Sequence, residues 1–271
     1  MQIIEKFVQG KRGKASLCED GYVVTPHFAA VIDGSTSKVK GRSGGLEAMR
    51  LVCEAVRSLS PKADKEEMLR HFTAVLSSHN PIEAQRDAAY RLTCSAVIFS
   101  AQRRVVWMVG DCQCRFAHTT YTHPKLVDAI LTEARCDAVT YLLDHGHTAA
   151  DIQRADLGRV IILDALRSQT NFQNEPNPLN PYRYPVFDGT TVDPTLVPEW
   201  SIPLSVQELI LASDGYPQLK DTLADTEREL SRLLLADPLC IRENKATKCL
   251  VEGNLSFDDR CYLRIKLEED K

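Results

Sequence analysis

Four apolar runs in this chain each stop on an acidic residue: Phe28-Ala-Ala-Val-Ile-Asp33-Gly34, Val105-Val-Trp-Met-Val-Gly110-Asp111, Leu209-Ile-Leu-Ala-Ser-Asp214-Gly215 and Leu255-Ser-Phe-Asp258-Asp259. A β-rich apolar stretch ending in Asp or Gly-Asp reads as a buried strand whose carboxylate emerges at its end. One Asp-Gly is ordinary turn chemistry. Four such endings suggest a fold that gathers their carboxylates at one edge. Carboxylates held close together stay ionised only beside a compensating cation. An all-oxygen donor set suits hard divalent ions, magnesium or manganese, and not zinc.

The elements that would position these residues follow from periodicity. Strands are expected at Gln2–Val8, Gly21–Val24 and Phe28–Asp33, with Pro26 breaking the connection between the last two. After a Gly- and Ser-rich loop, amphipathic helices are expected at Leu46–Leu59 and Lys65–Ser78. Asp64 is placed to cap the second. A hairpin follows, Thr93–Ser100 returning as Val105–Val109, then a strand at Gln113–Ala117. Residues 124–168 switch to helical spacing, and Asn171–Pro181 reads as loop. Tyr184–Phe187 and Val206–Leu211 are expected as strands, Thr222–Leu235 as a helix and Arg260–Leu267 as the closing strand. Strands and helices in separate runs predict an α+β sandwich of two mainly antiparallel sheets flanked by helices, a single domain over 1–271 with a helical insertion at 119–180.

Composition narrows the partners. With 271 residues and 44% hydrophobic content the chain can bury a sizeable core. A formal charge of −4, without a Lys/Arg block, argues against nucleic acid or an anionic membrane as the partner. No apolar run approaches the ~18 residues of a membrane span. Met1-Gln-Ile-Ile-Glu-Lys-Phe-Val reads as a first strand and not a signal peptide, so a cytoplasmic protein is expected. Nine cysteines without a Cys-x-x-Cys pair read as reduced thiols, Cys112 and Cys114 sharing one strand face. His145-Gly-His147 reads as a helix end before a new start at Thr148, and Trp107 as core. Oligomeric state is left open.

The ordered set Glu19-Asp20, Asp33-Gly34, Gly110-Asp111, Ser213-Asp214-Gly215 and Asp258-Asp259 resembles the metal-dependent protein serine/threonine phosphatases, the protein phosphatase type 2C family, in a divergent, bacterial style. The match covers about residues 10–118 and 181–267. The resemblance implies packed antiparallel sheets with a two-metal site at one end of the sandwich. It implies that Asp33 bridges two manganese or magnesium ions and that Gly34 lends its carbonyl to the second. Asp214 and Asp258 would complete the first ion, and Asp111 with Asp214 would take a third, looser one. Glu19 and Asp20 would hold metal-bound waters. The implied activity is hydrolysis of phosphoserine or phosphothreonine in a phosphoprotein substrate by a metal-activated water, without a side-chain nucleophile.

The chain departs from that pattern in places. An Arg that usually grips phosphate four residues before the Glu-Asp pair is Ala15 here, with Lys14 beside it as a candidate phosphate contact lacking the guanidinium fork. Lys38, Lys40 and Arg42 are further candidates for phosphate, or a solvated loop. Strand alternation lets only one of Asp258 and Asp259 face the metals, and the family motif favours Asp258. The departures leave two alternatives, an inactive pseudophosphatase serving as a binding module and a phosphatase for small phosphorylated metabolites.

Overall fold

The computed structural model describes residues 1–37, 39, 41 and 43–267. The strands are β1 (Gln2–Gln9), β2 (Asp20–Val24), β3 (Phe28–Gly34), β4 (Cys94–Ser100), β5 (Val105–Val109), β6 (Gln113–Phe116), β7 (Thr119–Thr122), β8 (Glu199–Ser201), β9 (Glu208–Ala212) and β10 (Arg260–Lys266). Between and after them lie helices α1 (Gly44–Ser58), α2 (Lys65–His79), α3 (Leu126–Asp144), α4 (Ala149–Ala155), α5 (Leu157–Ile161), α6 (Leu163–Ser168) and α7 (Leu223–Ala236). Among the described residues the strands form two five-stranded sheets, ordered β1-β10-β9-β6-β7 and β2-β3-β4-β5-β8. Every pairing is antiparallel. This is the expected α+β sandwich.

Period-two alternation sorts the side chains of the central strands between two cores. Phe28, Ala30 and Ile32 of β3, with Ala96 and Ile98 of β4 and Trp107 of β5, pack under α1 and α2. Their neighbours Ala29, Val31, Val97, Phe99, Val106 and Met108 face the other sheet, against Leu211, Leu263 and Ile265. These strands are buried on both faces, which is why they read as continuous apolar runs. On the far side α7 covers the first sheet, Leu230 and Leu233 packing against Tyr262 of β10.

Local chemistry sets several boundaries. Asp64 accepts from the Glu67 N–H at 2.9 Å while Glu67 returns a bond to the Asp64 N–H, a capping box that starts α2. Thr148 and Asp151 do the same for α4, directly after the Gly146 that ends α3. The histidines beside that break are exposed, His145 stacking on Tyr141.

Tyr184–Phe187 corrects the expectation of a strand, since it makes only isolated bridges, Phe187 to Cys94 and Tyr184 to Gln173. Pro185 removes a ladder donor. Tyr184 and Val186 pack on Val127, Leu131, Ile162 and Leu166 of the helical segment. The short edge strands β7 and β8 carried no apolar alternation long enough to announce them. All nine cysteines are buried and free, and no helix among the described residues is long and apolar enough to cross a membrane.

Candidate active site

The acidic residues meet at one cleft: Asp20 starts β2, Asp33 lies near the end of β3, Asp111 and Asp214 follow β5 and β9, and Asp258 sits in a bend before β10, where a strand ending was expected. Asp20 of β2 stands opposite Asp33 of β3, and Asp33 opposite Ser95 of β4. Directly paired residues project to the same face, so the two carboxylates are cross-strand neighbours, an arrangement that like charges disfavour. Ser95 donates from Oγ to Asp111 Oδ1 at 2.7 Å. Gly110 turns the chain at φ +83°, where a Cβ would collide with the Ser95 hydroxyl, so the Gly-Asp order lets Asp111 reach that hydroxyl.

Asp214 follows β9 in a turn held on both sides. Ser213 exchanges bonds with the Cys261 backbone, and Gln113 Nε2 donates to the carbonyls of Ser213 and Tyr216. A Cβ on Gly215 would overlap the Asp259 carbonyl, so glycine lets this turn press against the next acidic pair.

That pair divides its work. Asp259 is buried, and its two oxygens accept the N–H groups of Lys11 at 2.8 Å and Glu19 at 2.9 Å, tying the end of β1 to the start of β2. Asp258 faces outward to Lys11 Nζ at 2.8 Å and forms an ion pair with Lys248.

Asp20, Asp33, Gly34, Asp111, Asp214 and Asp258 line one cleft of roughly 380 Å³. Lys11, Arg12, Lys125 and Lys248 line it too. Burial, then repulsion from Asp214 and Asp259, pushes the Asp20 carboxyl up to about 7, against a hydrogen bond from Ser213. Burial also raises Asp33 well above the carboxylate range, with Asp20, Asp214 and Asp111 adding to it. Burial opposes ionisation of Asp111 as well, but Lys125 outweighs it and holds this carboxyl low. Lys248 Nζ lies 4.0 Å from Asp214 while pairing with Asp258.

Other candidates fall outside the cleft wall. Glu19 does not line it, and its carboxylate accepts from Thr36 Oγ1 at 2.5 Å. Lys14, expected as a phosphate contact, is exposed and does not line the cleft, whereas Lys11 and Arg12 do. The Lys14 carbonyl accepts from Leu17 in a single 3₁₀ turn. Lys38, Lys40 and Arg42 lie outside the described residues. Lys11, Lys125 and Lys248 were missed because an isolated Lys in a loop carries no periodic signal.

The donor chemistry fits hard divalent ions. Every cleft carboxylate offers oxygen, Asp20 Oδ2 is buried without a hydrogen-bond partner, and an ammonium already sits between Asp214 and Asp258. As the side chains are placed, no three His, Cys, Asp or Glu among the described residues stand close enough together to hold an ion. The lysines stand among these carboxylates as their counter-charges.

No family model and no curated protein matches the chain. Solved structures do resemble it in chain path. The serine/threonine phosphatase PstP/Ppp of Mycobacterium tuberculosis is 16% identical, with 97% of each chain covered and a TM-score of 0.48. Stp1, a serine/threonine phosphatase from Staphylococcus aureus, is 14% identical over 100% of this chain and 96% of that one, with a TM-score of 0.48. The catalytic domain of PstP in complex with two manganese ions is 14% identical over 99% of this chain and 100% of that one, at 0.45.

Proposed function

We propose that this chain is a metal-dependent phosphatase that removes phosphate from phosphoserine and phosphothreonine in proteins. The observation that carries the reading is the convergence of Asp20, Asp33, Asp111, Asp214 and Asp258, from five separated segments, on one cleft that also presents lysine and arginine side chains. Asp33, the Gly34 carbonyl, Asp214 and Asp258 would hold two manganese or magnesium ions, with Asp20 and Glu19 behind them. Such ions, when bound, lower the pKa of water and offset charge on phosphoryl oxygens.

The chain's own residues would do the rest. Arg12 at the mouth offers the guanidinium fork that Ala15 lacks, and Lys11 adds a point charge. Thiol chemistry is disfavoured, because every cysteine is buried and burial, with the nearby Asp20 charge, pushes the Cys18 thiol up to about 12. Helices α3 and α5 contribute Asp128 and Arg159 to the cleft wall and expose Leu126, Ile130, Val160 and Ile161, apolar surface suited to a polypeptide substrate.

Manganese-dependent release of phosphate from a phosphopeptide tests the proposal. Asp33→Ala and Asp214→Ala should each abolish turnover with an unchanged circular dichroism spectrum. Full activity in either variant removes this site assignment. Failure of the wild type with both metals would make the chain a binding module, and a preference for small phosphate esters would change the substrate class.

A further inference from the structure

We infer that Lys125 is a built-in cation at Asp111, so that the cleft takes two divalent ions and excludes a third. The inference rests on the metal-dependent reading above and concerns how many ions that site accepts.

Both oxygens of Asp111 are engaged. Its Oδ1 accepts from Ser95 Oγ at 2.7 Å, and its Oδ2 accepts from Lys125 Nζ at 2.7 Å. Lys125 is held from several directions. Its ammonium lies 3.8 Å from Asp128 Oδ2 and over the Tyr184 ring at 5.1 Å, and its side chain is 13% exposed. Gln169 Nε2 fixes Asp128 by donating to its Oδ1 at 2.6 Å.

The backbone at Lys125 opens α3, and its carbonyl accepts from Asp128 and Ala129. The ammonium is therefore delivered by the rigid start of a 19-residue helix and not by a floppy loop. A divalent ion binding through Asp111 would have to displace this ammonium from its shortest bond and leave it only Asp128, at 3.8 Å, and the Tyr184 ring. Among the described residues Asp33 and Asp214 carry no lysine at hydrogen-bonding distance, and Lys248 reaches Asp214 only at 4.0 Å. Lys11 and Lys248 also pair with Asp258, but each is 26% exposed and can turn toward solvent as an ion enters, whereas Lys125 is half as exposed and held at Asp111 by its neighbours.

Manganese stoichiometry measured calorimetrically on the intact chain decides this without recourse to activity. The wild type should bind two ions, and Asp111→Asn should still bind two. Lys125→Met should gain a third, weaker ion at millimolar manganese, and Lys125→Met combined with Asp111→Asn should return to two. The double variant removes the charge that Lys125→Met would strand, so it keeps the comparison available if the single variant folds poorly.

Three ions in the wild type, falling to two in Asp111→Asn, would overturn the inference while leaving the phosphatase reading intact. A Lys125→Met protein that folds and still binds only two would also overturn it. A wild type that binds no manganese would end both, and that result is distinct from the others.

Discussion

Replacing Asp20 by Asn should stabilise the metal-free protein at about pH 8 and leave its stability nearly unchanged at about pH 4. The side chain is 4% exposed, sits opposite Asp33 and has one oxygen without a partner. Burial first, and then the charges of Asp214 and Asp259, raise its carboxyl from 3.8 to about 7. That gap is roughly three pH units, worth about 4 kcal/mol at about 1.36 kcal/mol each.

The sign follows from proton binding. The unfolded chain releases this proton near its ordinary value, while the native state keeps it until about pH 7, so native stability falls as pH rises between the two. Asn carries no such proton and escapes the loss. Rearrangement of Lys248 or entry of water reduces the full figure. Half of it, about 2 kcal/mol, would still raise Tm by about 3–4 °C in a chain of this length.

Thermal unfolding in chelator, followed across the acidic-to-neutral range for both proteins, gives the difference directly. It should grow from near zero to its full size and then level off. Added manganese should shrink it, because a cation makes the ionised carboxylate welcome. A difference that ignores pH, or an Asn variant less stable at about pH 8, would refute the electrostatic account of this cluster.

Asp258 and Asp259 should separate cleanly on substitution. Asp259→Ala removes two charge-assisted bonds to the N–H groups of Lys11 and Glu19, so it should cost about 3 kcal/mol or more in a denaturant titration. Asp258→Ala should leave stability within about 1 kcal/mol and instead abolish manganese binding by calorimetry. Arg135 is fully buried, pairs with Asp156 at 2.9 Å and donates to the carbonyls of Leu239 and Cys240. Arg135→Met should cost about 3–5 kcal/mol. It should also speed amide exchange over residues 237–251, the loop that carries Lys248.

The strand ends were legible in the sequence because a strand carries its own period. Asp33 follows Ala29 and Val31 on the inter-sheet face, so its position in the sandwich is settled by residues two and four places away. Ser95 precedes Val97 and Phe99 in the same way. Asp258 against Asp259 was harder. Alternation allowed only one of them to face the site, but the side chain that turned inward is anchored by backbone N–H groups some 240 residues distant in sequence. Short edge strands and the Pro185 segment were misjudged because their neighbours, and not their own pattern, decide their conformation.

The counter-charges were the least legible part, for a related reason. Lys125 acts through the cap of a helix, and Lys248 through a loop whose carbonyls at 239, 240 and 246 are gathered by Arg135. Asp156 closes the same assembly by accepting the Cys249 N–H at 2.9 Å. The bonds that tie Arg135 and Asp156 to this loop leave no periodic trace, since each joins segments about a hundred residues apart. A carboxylate at a strand end is placed by local repetition, whereas the cation that answers it is placed by packing between distant segments. The acidic half of such a cleft can therefore be read from a single chain, and its basic half needs the fold. That asymmetry also separates their variants. Loss of a strand-end Asp should silence the cleft and spare the fold, whereas loss of Arg135 should loosen the fold and with it the placement of Lys248.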